Sequence, residues 1–350
     1  MNTTTIGLDI AKSCFQVHGV DAHGKTTLQR QLRRAQVVTF FANMPACLIG
    51  IEACGGAHHW ARKLAELGHQ VKLMPPQFVK AYVKTNKNDA RDAEAICEAV
   101  TRPNMRFVAV KTVAQQELLM LHRVRQRLVV ERTAKANQLR GLLAEFGIVL
   151  PQGLHRLRGV MPEILGDDAE NGLSCLLRER FSHLFSHLRE LDATVIEWQR
   201  QIVLWHRENP LSRELEKIPG IGPLGASALV ASIGDVRTFK SGRQLAAWLG
   251  LVPRQESSGG KTRLLGISKR GERYLRTLFI LGARSVLRQS KRNPAQAASS
   301  WLGKLSARRH PHIAAVALAN KNARIAWALL THGREYRANY RSTRPAMAAG

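Results

Sequence analysis

The sequence predicts an α/β domain at the N-terminus, a helical middle, and a mostly helical C-terminal domain. Three observations lead to this. Short apolar stretches separated by turn residues crowd the first 75 positions; two long runs with apolar residues at three- and four-residue steps fill the middle; and basic, helix-patterned segments divided by Gly- and Pro-rich breaks occupy the rest.

Residues 4–10, 14–20 and 25–32 read as three short strands, and Asp21-Ala-His-Gly24 supplies turn chemistry between the last two, so they are expected to form an antiparallel meander. A helix over 35–44 leads to the apolar strand Cys47-Leu-Ile-Gly-Ile-Glu52. Gly55-Gly56, a helix over 58–67 and a strand over 69–74 follow, the last stopped by Pro75-Pro76. The order βββαβαβ is that of an RNase H-like α/β layer.

From about Thr112 to Phe146 the chain reads as one long helix, with Leu118, Leu121, Val124, Leu128, Leu139, Leu142 and Leu143 on its apolar stripe. A second such run spans Leu173 to Trp205, beyond a break marked by Pro151, Gly153, Gly159, Pro162 and Gly166. The pair is compatible with a coiled coil or with ordinary core helices. The last domain opens at Ile218-Pro-Gly-Ile-Gly-Pro223 and continues with helices over 224–233, 241–250, 272–287 and 312–330, with 253–271 expected as a loop. Four segments result: 1–108, 109–210, 211–335, and a tail over 336–350 expected to lack fixed structure.

The balance of 53 Lys and Arg against 26 Asp and Glu gives +27, far beyond what solubility needs, and points to a polyanionic partner. Nucleic acid is the first candidate. Anionic membrane is the second, but the chain has no long apolar run and no basic amphipathic helix to support it. From Arg254 onward the last 97 residues hold +17, and they keep the apolar periodicity of Leu275, Leu278, Phe279, Val286 and Leu287 that a solvated basic tail lacks. Five cysteines without a C-x-x-C pair support neither a disulfide framework nor a structural zinc site. With no signal-peptide pattern at the start, a cytoplasmic setting is expected.

Only eight acids lie in the first hundred residues, and four of them make chemical sense together. Asp9 sits in the apolar first strand, where a buried carboxylate is costly without a cation or hydrogen bonds. Glu52 ends the fourth strand in an equally apolar setting. Asp89 and Asp92, at i and i+3, share one face of a helix start. Hard oxygen donors in this number suit Mg²⁺ or Mn²⁺, which serve in-line phosphoryl transfer. Singly, each has a plainer reading: Asp89 as a helix cap, Asp92 as a solvated residue, Glu52 as a strand end.

In the C-terminal domain, Gly220 and Gly222 of the Pro-Gly turn resemble a helix-hairpin-helix element whose backbone N–H groups bind phosphate without reading sequence, although any interhelical turn can look alike. The stretch 253–276 gathers Arg254, Lys261, Arg263, Lys269, Arg270, Arg273 and Arg276 around Ser257-Ser-Gly-Gly260. On composition alone it reads as a phosphate-binding loop; a serine there is alternatively a nucleophile.

Taken in order, Gly7-Leu-Asp-Ile-Ala-Lys12, Ile51-Glu-Ala-Cys-Gly55, Asn88-Asp-Ala-Arg-Asp-Ala-Glu94, Pro219-Gly-Ile-Gly222, Leu249-Gly-Leu-Val-Pro253, Ser257-Ser-Gly-Gly260 and Ile267-Ser-Lys-Arg-Gly271 resemble DEDD-type insertion-sequence transposases related to the Piv/MooV DNA invertases. The resemblance spans roughly residues 4–290. It implies a RuvC-like domain whose metal-binding tetrad is Asp9, Glu52, Asp89 and Asp92, a coiled coil that pairs protomers into a homo-oligomer, and a transposase domain with a nucleophilic serine. That serine maps to Ser258, with Ser257 as the alternative. It further implies a phosphoserine link to DNA, assisted by Mg²⁺ or Mn²⁺ of a partner protomer's tetrad, and guidance by a noncoding bridge RNA. Two other readings are a metal-dependent Holliday-junction-type endonuclease or invertase using water, and a non-catalytic nucleic-acid-binding protein.

Overall fold

A computed structural model of the chain describes residues 2–82, 89–166, 170–292 and 300–338, the side chains of residues 89 and 90 excepted. The chain divides into two units, Met1–Gln115 with Ile233–Thr238, and Gln116–Ser232 with Phe239–Gly350.

The first unit holds strands β1 (Thr5–Ile10), β2 (Cys14–Val20), β3 (Thr26–Arg33), β4 (Leu48–Glu52) and β5 (Gln70–Met74), with helices α1 (Val37–Ala42), α2 (Ala57–Glu66), α3 (Pro76–Val79) and α4 (Asp89–Val100). The sheet order is β3-β2-β1-β4-β5. As expected from the sequence, β1, β2 and β3 form an antiparallel meander and β4 lies beside β1, here in parallel, with Thr5 opposite Leu48 and Leu8 opposite Ile51. Alternation along the strands sorts the two faces. Ile6, Leu8, Ile49 and Ile51 turn toward Phe41 of α1 and Trp60, Ala61 and Leu64 of α2 in one buried core. The opposite face is covered by α4, whose Ala95, Ile96, Ala99 and Val100 pack with Met74.

At two positions that second face carries no side chain under the helix. A Cβ on Gly7 would collide with the Ala93 carbonyl and the Cys97 backbone nitrogen, and one on Gly50 would come within 2.8 Å of the Val100 Cβ. The two glycines let α4 lie directly against β1 and β4.

In the second unit, α5 (Val113–Ala144) and α7 (Cys175–Glu208) are long helices joined through α6 (Leu154–Leu165). Leu139, Leu143, Leu157, Met161, Phe181 and Leu188 form the apolar seam between them. The sequence marks 151–166 as a break, yet α6 runs through it with Pro162 inside the helix. Leu157 and Met161, four residues apart and fully buried, outweigh the hydrogen bond that proline removes.

The remainder comprises α8 (Pro210–Glu216), α9 (Pro223–Ile233), α10 (Gly242–Trp248), β6 (Pro253–Ser258), β7 (Lys261–Ile267), α11 (Arg273–Ser290), α12 (Trp301–Arg308) and α13 (Pro311–His332). Buried Ala314, Ala315, Ala319, Ala323 and Ala326 give α13 a small-residue face, and it packs against α10 and α11. The loop expected over 253–271 is instead the antiparallel hairpin β6–β7. Among the described residues, no helix is long and apolar enough to cross a membrane.

A buried polar chain ties three of these helices. His122 of α5, 1% exposed, lies 2.9 Å through Nδ1 from the Tyr274 hydroxyl of α11 and 3.0 Å through Nε2 from the Ser227 hydroxyl of α9. Burial, with the Arg125 charge adding to it, pushes the His122 imidazole down to about 4.

Two predictions follow from these contacts. Gly7→Val forces α4 off the sheet and is expected to cost at least ~3 kcal/mol in urea denaturation; an unchanged midpoint would contradict the packing. The unfolded chain binds a proton on residue 122 below its ordinary value of 6.5, and the folded chain refuses it down to about 4. Stability should therefore fall as pH drops through that window, by up to about 1.4 kcal/mol per pH unit from this group, and His122→Gln should flatten that part of the profile.

Candidate active site and nucleic-acid interface

Asp9 is two residues beyond Gly7 on β1, and Glu52 two beyond Gly50 on β4, so both carboxylates stand on the face that α4 covers. The strands are parallel and adjacent, and the residue after the Leu8–Ile51 pair is Asp9 on one and Glu52 on the other. Their backbones are therefore about 5 Å apart at the carboxyl ends of neighbouring strands. Both side chains are half-buried. Partial desolvation raises the Cys54 thiol above its ordinary value, and the Glu52 and Asp9 charges raise it further.

Helix α4 starts at the same edge. Its Ala93 carbonyl abuts Gly7 while Cys97 Sγ lies 3.7 Å from the Thr5 carbonyl, so the helix runs antiparallel to β1 and its first turn rests near the strand ends. Asp92, half-buried, belongs to that first turn. The Asp89 backbone begins the helix, but its side chain, like Lys87 and Asn88 of the same motif, lies outside the described residues. Among the described residues, no group of three or more His, Cys, Asp or Glu side chains is arranged to hold a metal ion. Asp9, Glu52 and Asp92 thus come from three elements meeting at one edge without closing a cage by themselves. The donors are all carboxylate oxygens, a set that fits a hard divalent cation.

The serines stand on the β6–β7 hairpin. Gly259 and Gly260 both have positive φ, +55° and +77°, the type I′ geometry that joins two strands in two residues. Register puts Ser258 opposite Lys261, Ser257 opposite Thr262 and Glu256 opposite Arg263. Paired residues share a face, so Ser258 stands with Lys261, Glu256 and Arg263, whereas Ser257 stands with Thr262, Gln255 and Leu264. Ser257 also accepts a 2.8 Å hydrogen bond from Gln255 Nε2. Every residue of β6 is exposed. A phosphate approaching Ser258 meets two cations on the same face, partly offset by Glu256, which pairs with Arg254 at 3.2 Å.

Arg254, Lys261, Arg263, Lys269, Arg270 and Arg273 are exposed. Arg276 departs from the expectation of a phosphate contact: it is only 9% exposed, and its Nη1 donates to the Leu249 carbonyl at 3.1 Å and to the Arg270 carbonyl at 3.5 Å. Gly220 departs too. Its φ of +92° and its contact with the Gly282 backbone make it a packing position between the turn and α11, while Gly222 is exposed and open.

Sequence reasoning missed Cys54, whose place two residues after Glu52 was the available signal. It also missed the hairpin, for which Gly259-Gly260 between two short polar runs was the cue.

Residues 6–148 match the DEDD transposase family of IS110 type, and residues 212–299 match the family described as "Transposase IS116/IS110/IS902 family". The chain is 52% identical to a probable family 20 transposase of Pseudomonas aeruginosa over 96% of its own length and 99% of the relative's. It is 45% identical to the transposase for insertion sequence element IS1111A of Coxiella burnetii, covering 95% of this chain and 91% of that one. It is 42% identical to the transposase for IS1328 of Yersinia enterocolitica, covering 95% and 98%.

Arg276→Ala is expected to lower stability by about 1–3 kcal/mol, because it orphans buried carbonyls. Arg263→Ala is expected to leave melting unchanged and to reduce the salt slope of DNA binding by about one. Titration of DNA affinity against salt, beside thermal melts, separates the two; the reverse pattern would contradict the burial described.

Proposed function

The chain belongs to the IS116/IS110/IS902 family of DNA transposases, and on that footing we propose that it cuts and rejoins the DNA of an insertion sequence through a serine–DNA intermediate at Ser258. The N-terminal sheet with α4 is in this reading an RNase H-like, RuvC-like domain whose tetrad is Asp9, Glu52, Asp89 and Asp92. The observation that carries it is the meeting of Asp9, Glu52 and the start of α4 at the carboxyl edge of two parallel strands.

The Ser258 hydroxyl attacks the scissile phosphorus, forming an Oγ–P bond as one deoxyribose oxygen leaves and takes up a proton. A strand hydroxyl then attacks the same phosphorus, the Oγ–P bond breaks, and the serine recovers its proton. One phosphodiester is broken and one made, so no external energy source is needed. Lys261 and Arg263 stabilise the charge on the phosphoryl oxygens from the hairpin face they share with Ser258. Mg²⁺ or Mn²⁺ held by the carboxylates would supply Lewis acidity at the phosphate. Arg254, Lys269, Arg270 and Arg273 hold the backbone on either side.

A noncoding bridge RNA as guide and a homo-oligomer paired through α5 and α7, with the tetrad of one protomer serving the serine of another, complete the proposal. Exposed Val130, Leu142 and Ile196 on those helices support the pairing, and the +17 of the last 97 residues supports a second polyanion.

The test incubates the full chain with Mg²⁺, end DNA and the adjacent transcript, and looks for protein-linked strands on denaturing gels. Ser258→Ala should abolish the adducts while DNA binding persists, and Ser257→Ala should retain them. Asp9→Asn should remove both adducts and cleavage. Cleavage without adducts in the unmodified protein would favour metal-activated water, and full activity of Asp9→Asn would sink the carboxylate assignment.

A further inference from the structure

The basic segment that follows the serine hairpin is clamped at one end. Ser268 N donates to the Val252 carbonyl at 2.8 Å, Lys269 N to the Gly250 carbonyl at 3.2 Å, and Glu272 N to the Trp248 carbonyl at 3.3 Å. A Cβ on Gly250 would strike the Arg270 carbonyl, and one on Gly271 the Trp248 carbonyl. Lys269 itself has a φ of +54°, a left-handed conformation costing about 1–2 kcal/mol for a residue with a side chain and kept only where the surroundings fix it. Hairpin base, basic segment and the first turn of α11, capped by the Glu272 carboxylate on Leu275 N at 2.6 Å, therefore form one stiff block.

The polar chain of Tyr274, His122 and Ser227 ties that block to α5 and α9. The Ser227 hydroxyl donates to the Pro223 carbonyl at 2.6 Å, so toward His122 it can only accept, and His122 Nε2 must carry the hydrogen. Neutral His122 then has a bare Nδ1, and the Tyr274 hydroxyl donates to it. The Arg125 charge stands near Tyr274, and Arg125 Nη2 and Nε donate to the Gln199 side-chain oxygen of α7 at 2.8 and 3.1 Å. The imidazole thus donates once, to Ser227, and accepts once, from Tyr274.

We infer that Tyr274 is a positioning residue for strand joining: through the Tyr274–His122–Ser227 chain it fixes the bearing of the serine hairpin and its basic segment on the helices behind them. Apolar contacts of α11, such as buried Leu275 and Phe279, resist separation but tolerate sliding, since burial carries no direction. Hydrogen bonds of 2.9 and 3.0 Å between helices do not. A displacement of about 1 Å at a reacting centre can cost on the order of 100-fold in rate.

The experiment compares the unmodified full chain with Tyr274→Phe, Ser227→Ala and the double variant, using end DNA, Mg²⁺ and the adjacent transcript. It reads three quantities: the single-turnover rate of joined DNA product, the Kd for end DNA, and the melting temperature. Each single variant should lose 10- to 100-fold in joining rate with Kd within twofold. The double variant should be no slower than the slower single, because the chain acts as a unit. Ser227→Ala, at the far end, carries the same test if Tyr274→Phe folds poorly. A joining rate within twofold of the unmodified protein overturns the inference, and so does a rate loss matched step for step by weaker DNA binding or lower melting. Joined product is scored whether or not a serine adduct forms, so a failure of the Ser258 assignment leaves this outcome readable.

Discussion

The close seat of α4 on β1 and β4 is the constraint on which the N-terminal unit depends. It exists because Gly7 and Gly50 present no side chains where the Ala93 carbonyl and the Val100 side chain arrive. Two residues further along each strand, the same alternation that put glycine under the helix puts a carboxylate beside its first turn. A larger residue at either glycine would move the helix start, and with it Asp92, away from Asp9 and Glu52. Side-chain burial is given up at those two positions alone, while Met74 and Leu48 still pack against α4 on the same face. Burial, and after it the Glu52 and Asp9 charges, hold the nearby Cys54 thiol above its ordinary value.

In the second unit the proposed serine chemistry sets a different problem, that of holding an exposed hydroxyl in place. A type I′ hairpin needs only two residues to reverse the chain, so Ser258 stands at the very end of a strand with Lys261 directly across from it. Nothing about this hairpin is buried, and its orientation must come from below. There the backbone clamp at Trp248–Val252 and the His122 chain take over, the first by hydrogen bonds and glycine contacts, the second by linking helices far apart in sequence.

Much of the first unit was legible in the sequence for a physical reason. Strands buried on one or both faces leave apolar runs such as Cys47–Ile51, and a carboxylate ending such a run is conspicuous because burial makes it costly. The strands of the β6–β7 hairpin left no hydrophobic alternation, because they are largely solvated, and only the Gly259-Gly260 turn marked them. Helix α6 was obscured by Pro162, whose cost is local while Leu157 and Met161 bury fully. Arg276 read as one more cation because composition counts charge and cannot see burial. The His122–Tyr274 pair, 152 residues apart, has no sequence signature at all. Family resemblance supplied what periodicity could not, the link between separate acidic and serine motifs.

The proposed function requires that carboxylates of separate segments act as one cation site. Titrating Mn²⁺ into the full-length chain and following the free-ion electron paramagnetic resonance signal tests this most directly, without DNA or turnover. The account predicts saturable binding that weakens at least tenfold in Glu52→Gln and in Asp92→Asn alike, with melting unchanged. Equal Mn²⁺ affinity in the unmodified protein and both variants would contradict it.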